Sequence, residues 1–339
     1  MTKAILIAAS LFVGSSAFAR AVDSSLIYHE KGVVEMAARR FSMAAAFFDK
    51  AVRINPKMTD AWLRNGYANL EMRKTDVARG HFTRVIELDP SNQAATKELA
   101  SLYYDYRQFA KAIEFSKKCS GCENSAKIIA MSSYHLEDYA TAVKGLQKVV
   151  EKDPADAEAT YTLGRAYLDM EDYKAAVPWY TRAIALVPGK NTWAYELGLL
   201  YYNQNDFKNA VSLFTRANAA GYPQSSDYLE NLGYAYMYSG EFAKGEQLLL
   251  AVLAKKPRSK DILRDIALAY YQQKQFDKSL EFCQKLLEDD PKDAAALYQA
   301  GLCFQKKGQK DKGQAMCDKA IEMDPSLANK RQKNMSMGL

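Results

Sequence analysis

The chain has 339 residues, of which 48% are hydrophobic and 25% charged, and its formal net charge is +6. Basic and acidic residues are mixed along it, without the one-sided basic stripe of nucleic-acid-binding proteins, so nucleic acid is not an expected partner. Beyond residue 20 no apolar run is long enough to cross a bilayer, which argues against an integral membrane span.

Residues 1–19 have the pattern of a secretory signal peptide. Lys3 supplies a positive start, residues 4–13 are almost wholly apolar, and residues 17–19 form an Ala-x-Ala cleavage pattern. We expect cleavage after Ala19, with residues 20–24 as a lead-in to the folded chain. The brevity of the segment is typical of bacteria and predicts export to the periplasm, where a partner would mediate any association with the outer membrane. A retained N-terminal anchor is the alternative.

Eight of the nine prolines recur at a nearly constant spacing through the rest of the chain. The gaps are 34, 64, 34, 35, 34, 34 and 34 residues, and 64 is one period of 34 plus one of 30. A fixed period of this length indicates a solenoid, in which each repeat packs on its neighbours. These prolines are Pro56, Pro90, Pro154, Pro188, Pro223, Pro257, Pro291 and Pro325. The period predicts nine units and a basic tail at 328–339, the units being 25–58, 59–92, 93–122, 123–156, 157–190, 191–225, 226–259, 260–293 and 294–327.

Small residues occupy two fixed positions of each unit. Position 8 is Gly or Ala, and position 20 is Ala, Gly or Ser. Two antiparallel helices that cross closely need such residues where their backbones approach. Position 24 is bulky or apolar in most units, and positions 20, 24 and 27 share one helix face. In eight of the nine units a proline near the end stops the second helix, because its predecessor is biased away from the α conformation.

This pattern resembles the tetratricopeptide repeat. Residues 157–190 match it nearly throughout, with Leu163, Gly164, Tyr167, Ala176, Tyr180, Ala183 and Pro188 in register. The resemblance implies an all-α fold, a right-handed α-solenoid of nine antiparallel helix pairs. Three places depart from the pattern: unit 93–122 is four residues short, Pro178 falls inside a second helix, and unit 191–225 has one extra residue. We expect the curvature to deviate there.

The resemblance also implies that the first helix of each pair, helix A, lines a concave surface. Positions 2, 5, 9, 12 and 13 of that helix usually point inward, and here they are rich in tyrosine and acids. Tyrosine offers a large contact area with a polar tip, as recognition surfaces require. The predicted partner-binding residues are Tyr67, Tyr104, Tyr134, Tyr161, Tyr195, Tyr202, Tyr234, Tyr238, Tyr271, Tyr298, Asp60, Glu158, Asp227 and Asp261, with Asp169 and Glu230 on the same face. The alternative is that these tyrosines only pack between neighbouring A helices.

Tetratricopeptide domains that clamp a C-terminal carboxylate carry Lys at position 5 and Asn at position 9. Only the third unit has Lys at position 5, Lys97, and its position 9 is Ser101. Binding of chaperone tails is therefore not expected.

The five cysteines divide into a close pair and three single residues. Cys119 and Cys122 flank a short turn, and in an oxidising compartment we expect a local disulfide, with a redox role as the lesser alternative. Cys283, Cys303 and Cys317 fall at apolar positions and are interpreted as core residues, although a bridge between Cys283 and Cys303 is the alternative. No second ligand pair for zinc accompanies them, so neither a metal nor a cofactor is expected.

No catalytic motif occurs among the three widely spaced histidines or the acid pairs. We therefore interpret the chain as a non-catalytic scaffold or adaptor of the bacterial cell envelope. Its concave groove would bind a peptide segment or helix of another envelope or secreted protein. The alternatives are a self-associating structural subunit and a small-molecule or glycan-binding module. The sequence leaves the oligomeric state open.

Overall fold

A computed structural model describes residues 24–255 and 259–328. The predicted signal peptide at 1–19 and the tail residues 329–339 lie outside the described residues. Within them the secondary structure is entirely helical, and no strand occurs.

Eighteen helices follow one another along the described chain, with short connections. They are α1 (24–37), α2 (Phe41–Ile54), α3 (Thr59–Glu71), α4 (Thr75–Leu88), α5 (Gln93–Asp105), α6 (Phe109–Lys118), α7 (Ser125–His135), α8 (Tyr139–Lys152), α9 (Ala157–Asp169), α10 (Tyr173–Leu186), α11 (Asn191–Asn203), α12 (Phe207–Ala219), α13 (Ser226–Ser239), α14 (Phe242–Lys255), α15 (Lys260–Gln272), α16 (Phe276–Asp289), α17 (Ala294–Lys306) and α18 (Lys310–Met323). Odd-numbered helices are the A helices and even-numbered helices the B helices of nine pairs. The prediction of an all-helical array of helix pairs is confirmed.

The turn between helix A and helix B has the same backbone conformation in all nine pairs. Position 15 of the unit adopts a positive φ there, at Arg39, Arg73, Arg107, Glu137, Glu171, Asn205, Gly240, Lys274 and Gly308. The residue after it donates its N–H back into the last turn of helix A, as Asp172 does to the Tyr167 carbonyl at 2.9 Å. This bond satisfies a carbonyl that the end of a helix leaves without a partner. The regular turn thus sets the antiparallel return of each B helix.

Positions 8 and 20 carry small residues because the paired helices touch there. A Cβ added to Gly32 would lie 2.5 Å from the ring of Phe48, and one added to Gly66 would lie 2.5 Å from the ring of Phe82. In pair α13–α14 the two backbones themselves meet, since a Cβ on Gly245 would lie 2.6 Å from the Gly233 carbonyl oxygen. The small residues therefore decide how closely each pair can pack.

The described residues divide into two compact units, with the boundary between Arg182 and Ala183. We call these two parts the first unit and the second unit, and each contains several of the repeats. In the first unit, the fully buried core residues include Phe48, Phe82, Leu99, Leu146 and Leu163. In the second unit they include Phe214, Tyr228, Leu249, Ile266 and Phe282. Each unit thus has a chain of small cores between successive helices, as expected when a repeat packs only on its neighbours.

The places that depart from the repeat pattern have local structural counterparts. Helix α6 has 10 residues, whereas the B helix α8 has 14, and the turn after α6 holds the Cys119–Cys122 pair. Pro178 lies inside α10, which continues past it to Leu186. The extra residue of unit 191–225 falls in the connection between α12 and α13, where Gly221 has a φ of +88°.

Candidate functional site

In the second unit, five of the predicted tyrosines lie half-buried on three A helices. Tyr195 and Tyr202 lie on α11, Tyr234 and Tyr238 on α13, and Tyr271 on α15. Tyr195 and Tyr202 are seven residues apart and Tyr234 and Tyr238 are four apart, and both spacings place two residues on one face of a helix. We call these five side chains the tyrosine face.

The first cluster of the tyrosine face surrounds Tyr195. Its ring stacks on that of Tyr222 with the centroids 4.3 Å apart, and its hydroxyl accepts a hydrogen bond of 2.8 Å from Asn231 Nδ2. Tyr228 packs beside both rings and is 1% exposed, with its hydroxyl donating to the Phe214 carbonyl. Tyr195 thus joins α11 to α13 and to the connection between α12 and α13. Sequence reasoning missed Tyr222, although the extra residue in this unit marked the place.

The second cluster contains Tyr202, Tyr234 and Tyr238. The Tyr234 hydroxyl donates to Asp265 Oδ2 at 2.7 Å, which ties α13 to α15. The ring of Phe207 lies 5.4 Å from that of Tyr202 and 5.0 Å from that of Tyr238, between centroids. These contacts fix the tyrosine rings, so little rotational freedom remains for a partner to remove.

Carboxylates shape the electrostatics of this second cluster. Burial, followed by the nearby Tyr238, Asp265 and Glu230, raises the pKa of Tyr202 to about 12. Burial and the hydrogen bond to Asp265 also raise the pKa of Tyr234 well above its usual value. Asp265 therefore lies at the centre of the cluster, and sequence reasoning missed it because it falls outside the expected inward positions.

The predicted acids of the second unit have different surroundings. Asp261 is exposed and accepts a hydrogen bond of 2.8 Å from Arg264, whose other terminal nitrogen donates to the buried Asp293 at 2.7 Å. Asp227 is exposed in the first turn of α13. Asp261 thus belongs to an ion-pair network that links α15 to the start of α17.

A cavity of about 460 Å³ lies between α15 and α17. Tyr271, Tyr298 and Leu268 line it together with Asp265. Leu268 is 40% exposed, whereas Tyr298 is only 5% exposed and packs in the core with Cys317 and Leu327. Tyr298 therefore differs from the other predicted tyrosines of this unit, since it offers little surface to a partner.

In the first unit, the predicted tyrosines pack mainly across helices. The ring of Tyr67 meets that of Phe82 edge-on at 5.4 Å, and that of Tyr161 meets that of Tyr180 at 5.5 Å. The Tyr134 hydroxyl donates to Asp169 Oδ2 at 2.8 Å, which joins α7 to α9. These residues are only partly exposed, and their contacts account for much of their surface.

Tyr104 and the predicted acids of the first unit lie near local cations. Tyr104 and Glu158 line a cavity of about 260 Å³, in which Lys127 pairs with Asp156 at 2.8 Å and with Glu158 at 3.2 Å. On α3, the exposed Asp60 accepts hydrogen bonds from Arg64 at 2.7 Å and contacts His29 Nε2 at 2.6 Å. The predicted acids Asp60 and Glu158 are thus each paired with a cation, unlike Asp265 in the second cluster of the tyrosine face.

The tyrosines therefore pack between repeats and also present part of their surface. Three hydrogen bonds, at Tyr134, Tyr195 and Tyr234, run from one A helix to the next. The two interpretations of the sequence thus describe the same side chains, and partner contact stays a prediction.

The structure joins Cys119 to Cys122 as a disulfide, with their Cα atoms 5.6 Å apart. Cys283, Cys303 and Cys317 are buried free thiols. The alternative of a Cys283–Cys303 bridge is therefore wrong, because Cys303 Sγ lies instead within 3.2 Å of the Ser279 hydroxyl. Within residues 24–255 and 259–328 no cluster of ligands could hold a metal ion. The same part of the chain contains no helix with the length and apolarity to span a membrane.

Comparison with known proteins identifies the repeat. The tetratricopeptide-repeat family profile matches residues 63–117, 129–191, 161–226, 195–237, 230–294 and 294–327. These ranges together cover more than half of the chain. They support a protein–protein interaction scaffold, since such folds are typically non-enzymatic and bind peptide partners.

The chain is also similar to parts of larger proteins. It is 25% identical over 151 residues to anaphase-promoting complex subunit 3 of Schizosaccharomyces pombe, covering 42% of this chain and 22% of that protein. It is 28% identical over 160 residues to DnaJ homolog subfamily C member 3 of Mus musculus, covering 46% and 29%. Both matches thus span less than a third of the curated relatives.

One solved structure supports the fold directly. The C-terminal part of a repeat-containing protein of Cytophaga hutchinsonii superimposes with a TM-score of 0.54 at 16% identity, covering 70% of this chain and 98% of that one. At this identity the likeness concerns the fold alone. With nine helix pairs in its described residues and profile matches along most of its length, this chain belongs to the tetratricopeptide-repeat family.

Proposed function

We propose that this protein is a non-catalytic adaptor of the bacterial cell envelope that binds a segment of another exported protein. The segment, extended or helical, would lie on the tyrosine face of the second unit. Residues 1–19 have the signal-peptide pattern, so the adaptor would act in the periplasm after cleavage near Ala19.

The observation that carries this proposal is the fixed arrangement of the tyrosine face. Five half-buried tyrosines come from three successive A helices, and contacts with Tyr222, Asn231, Phe207 and Asp265 hold four of them in place. Aromatic side chains that are already ordered gain contact area on binding at a low entropic cost. Such a surface favours the binding of a protein segment over catalysis.

Site-specific photocrosslinking in intact cells tests the proposal. A photoreactive amino acid at Leu268, on α15, should capture one defined protein, and mass spectrometry of the crosslinked peptides should locate a single segment of it. The matched control is Met323 on the B helix α18, since the two side chains are 40% and 37% exposed. Equal capture of the same protein at both positions, or capture at neither, would contradict binding on the A helices.

The location can be checked separately. N-terminal sequencing of the protein from cells should begin at Arg20, and osmotic shock should release it with the periplasmic fraction. A full-length chain retained in the cytoplasm would contradict export while leaving the binding proposal to the crosslinking result.

A further inference from the structure

The cavity between α15 and α17 has the size and lining of a side-chain pocket. Its volume of about 460 Å³ lies within the range of ligand sites. Leu268, Leu286 and Leu302 form much of its wall, and the 40% exposure of Leu268 leaves apolar surface facing solvent. A large apolar side chain would remove this surface from water, which is the main source of binding free energy at such sites.

One edge of the same cavity is negatively charged. Asp265 lines the cavity, and its Oδ2 accepts a hydrogen bond of 2.7 Å from the Tyr234 hydroxyl. Within residues 183–255 and 259–328, the Asp265 carboxylate forms no ion pair. The tyrosine rings beside it add faces that attract a cation.

The nearest cations of α15 are committed to other acids. Arg264 pairs with Asp261 and Asp293, and Lys260 pairs with Asp289 at 2.7 Å. Arg264 also lines the cavity, but neither cation forms an ion pair with Asp265. The negative edge therefore persists although the chain as a whole has a net charge of +6.

We infer that this cavity receives a two-residue feature of the partner segment: a large apolar side chain inside it and a neighbouring Arg or Lys at Asp265. The inference rests on the proposed function and names the chemistry that the partner segment must carry. A cationic residue at an edge of this kind contributes mainly to partner choice and to the association rate.

Peptide arrays read out with the intact mature protein test the inference. The probes are fluorescent peptides that pair one basic with one large apolar residue at stepped spacings. Matched arrays have Glu in place of the basic residue or Ser in place of the apolar one. We expect binding to the first array only, weakening as salt is raised, and confirmation by fluorescence anisotropy on the best peptide.

Two variants locate the binding on the protein. Asp265→Asn removes the charge but keeps an acceptor for Tyr234, and it should weaken binding about fivefold and flatten the salt dependence. Leu268→Ser should weaken binding without changing the salt dependence, whereas Met323→Ser on α18 should change neither. Unaltered thermal unfolding of Asp265→Asn excludes misfolding as the cause.

Other outcomes overturn the inference in distinguishable ways. Equal binding of the Glu array, or no effect of Asp265→Asn, would refute the requirement for a basic residue in the partner segment. In that case, capture of a segment at Leu268 would still uphold the proposed function. Binding only after deletion of residues 329–339 would assign the cavity to the chain's own tail. Dimerisation that Leu268→Ser abolishes would assign it to a second copy. Failure of both the arrays and the Leu268 crosslink would reject the proposed function as well.

Discussion

Replacing Gly245 by Ala should separate close helix packing from helix propensity. A Cβ at Gly245 would lie 2.6 Å from the Gly233 carbonyl oxygen and 2.8 Å from the Met237 amide nitrogen. Both are backbone atoms of α13, so neither can rotate away, and α14 must move. Ala favours a helix over Gly by about 1 kcal/mol, whereas overpacking costs about 1–3 kcal/mol. We expect a net loss of up to about 2 kcal/mol in the free energy of unfolding of this pair.

Gly80 is the matched control, because it lies inside α4 and a Cβ there would meet nothing within 4 Å. Gly80→Ala should therefore gain up to about 1 kcal/mol. Hydrogen exchange measures each helix by itself, which matters because a repeat array does not unfold in two states. Amides of α13 and α14 should exchange about tenfold faster in Gly245→Ala, and those of α4 more slowly in Gly80→Ala. Slower exchange in both variants would refute the close-packing explanation.

Two further predictions concern ionisation and thiols. A thiol reagent should label no cysteine of the native protein. After unfolding it should label the three buried thiols Cys283, Cys303 and Cys317, and after unfolding and reduction all five cysteines. Burial raises the pKa of Cys283 to about 12, so rapid labelling of Cys283 in the native protein would contradict the structure. Burial, as the main cause, raises the pKa of Tyr202 and Tyr228 to about 12, above the value of about 10 in the unfolded chain. The folded state therefore holds these protons more tightly, and stability should be intact below pH of about 10 and fall as the pH rises toward about 12. A tyrosinate absorbance titration alongside circular dichroism measures both, and Tyr202→Phe should reduce the loss.

The proline period and the small residues at positions 8 and 20 were sufficient to predict the helix pairs. Gly32 and Gly66 lie against Phe48 and Phe82, as their register requires. A sequence repeat encodes such contacts well, because every unit makes them with its own partner helix or its neighbour.

The candidate site was less predictable, because its character depends on residues outside the expected inward positions. Tyr222 comes from an irregular connection, and Asp265 falls at position 6 of its repeat. Burial also separates residues at equivalent places: Tyr298 is buried, whereas Tyr195, at the same position 5 of its own repeat, is half-buried. Sequence position indicated the face, while the side chains around each tyrosine decide how much of it a partner can reach.

Glycines are concentrated in two of the nine pairs. Pair α13–α14 has Gly233, Gly240 and Gly245 at the contact and turn positions, and α17–α18 has Gly301, Gly308 and Gly313 at the equivalent places. Glycine loses more backbone conformational entropy on folding than any other residue, so these two pairs are the most costly to order. They flank α15–α16, whose helix α15 carries Leu268 and Asp265. We therefore expect the part of the array around the cavity to open locally before the first unit does. A bound segment should protect α13 to α18 against this local unfolding.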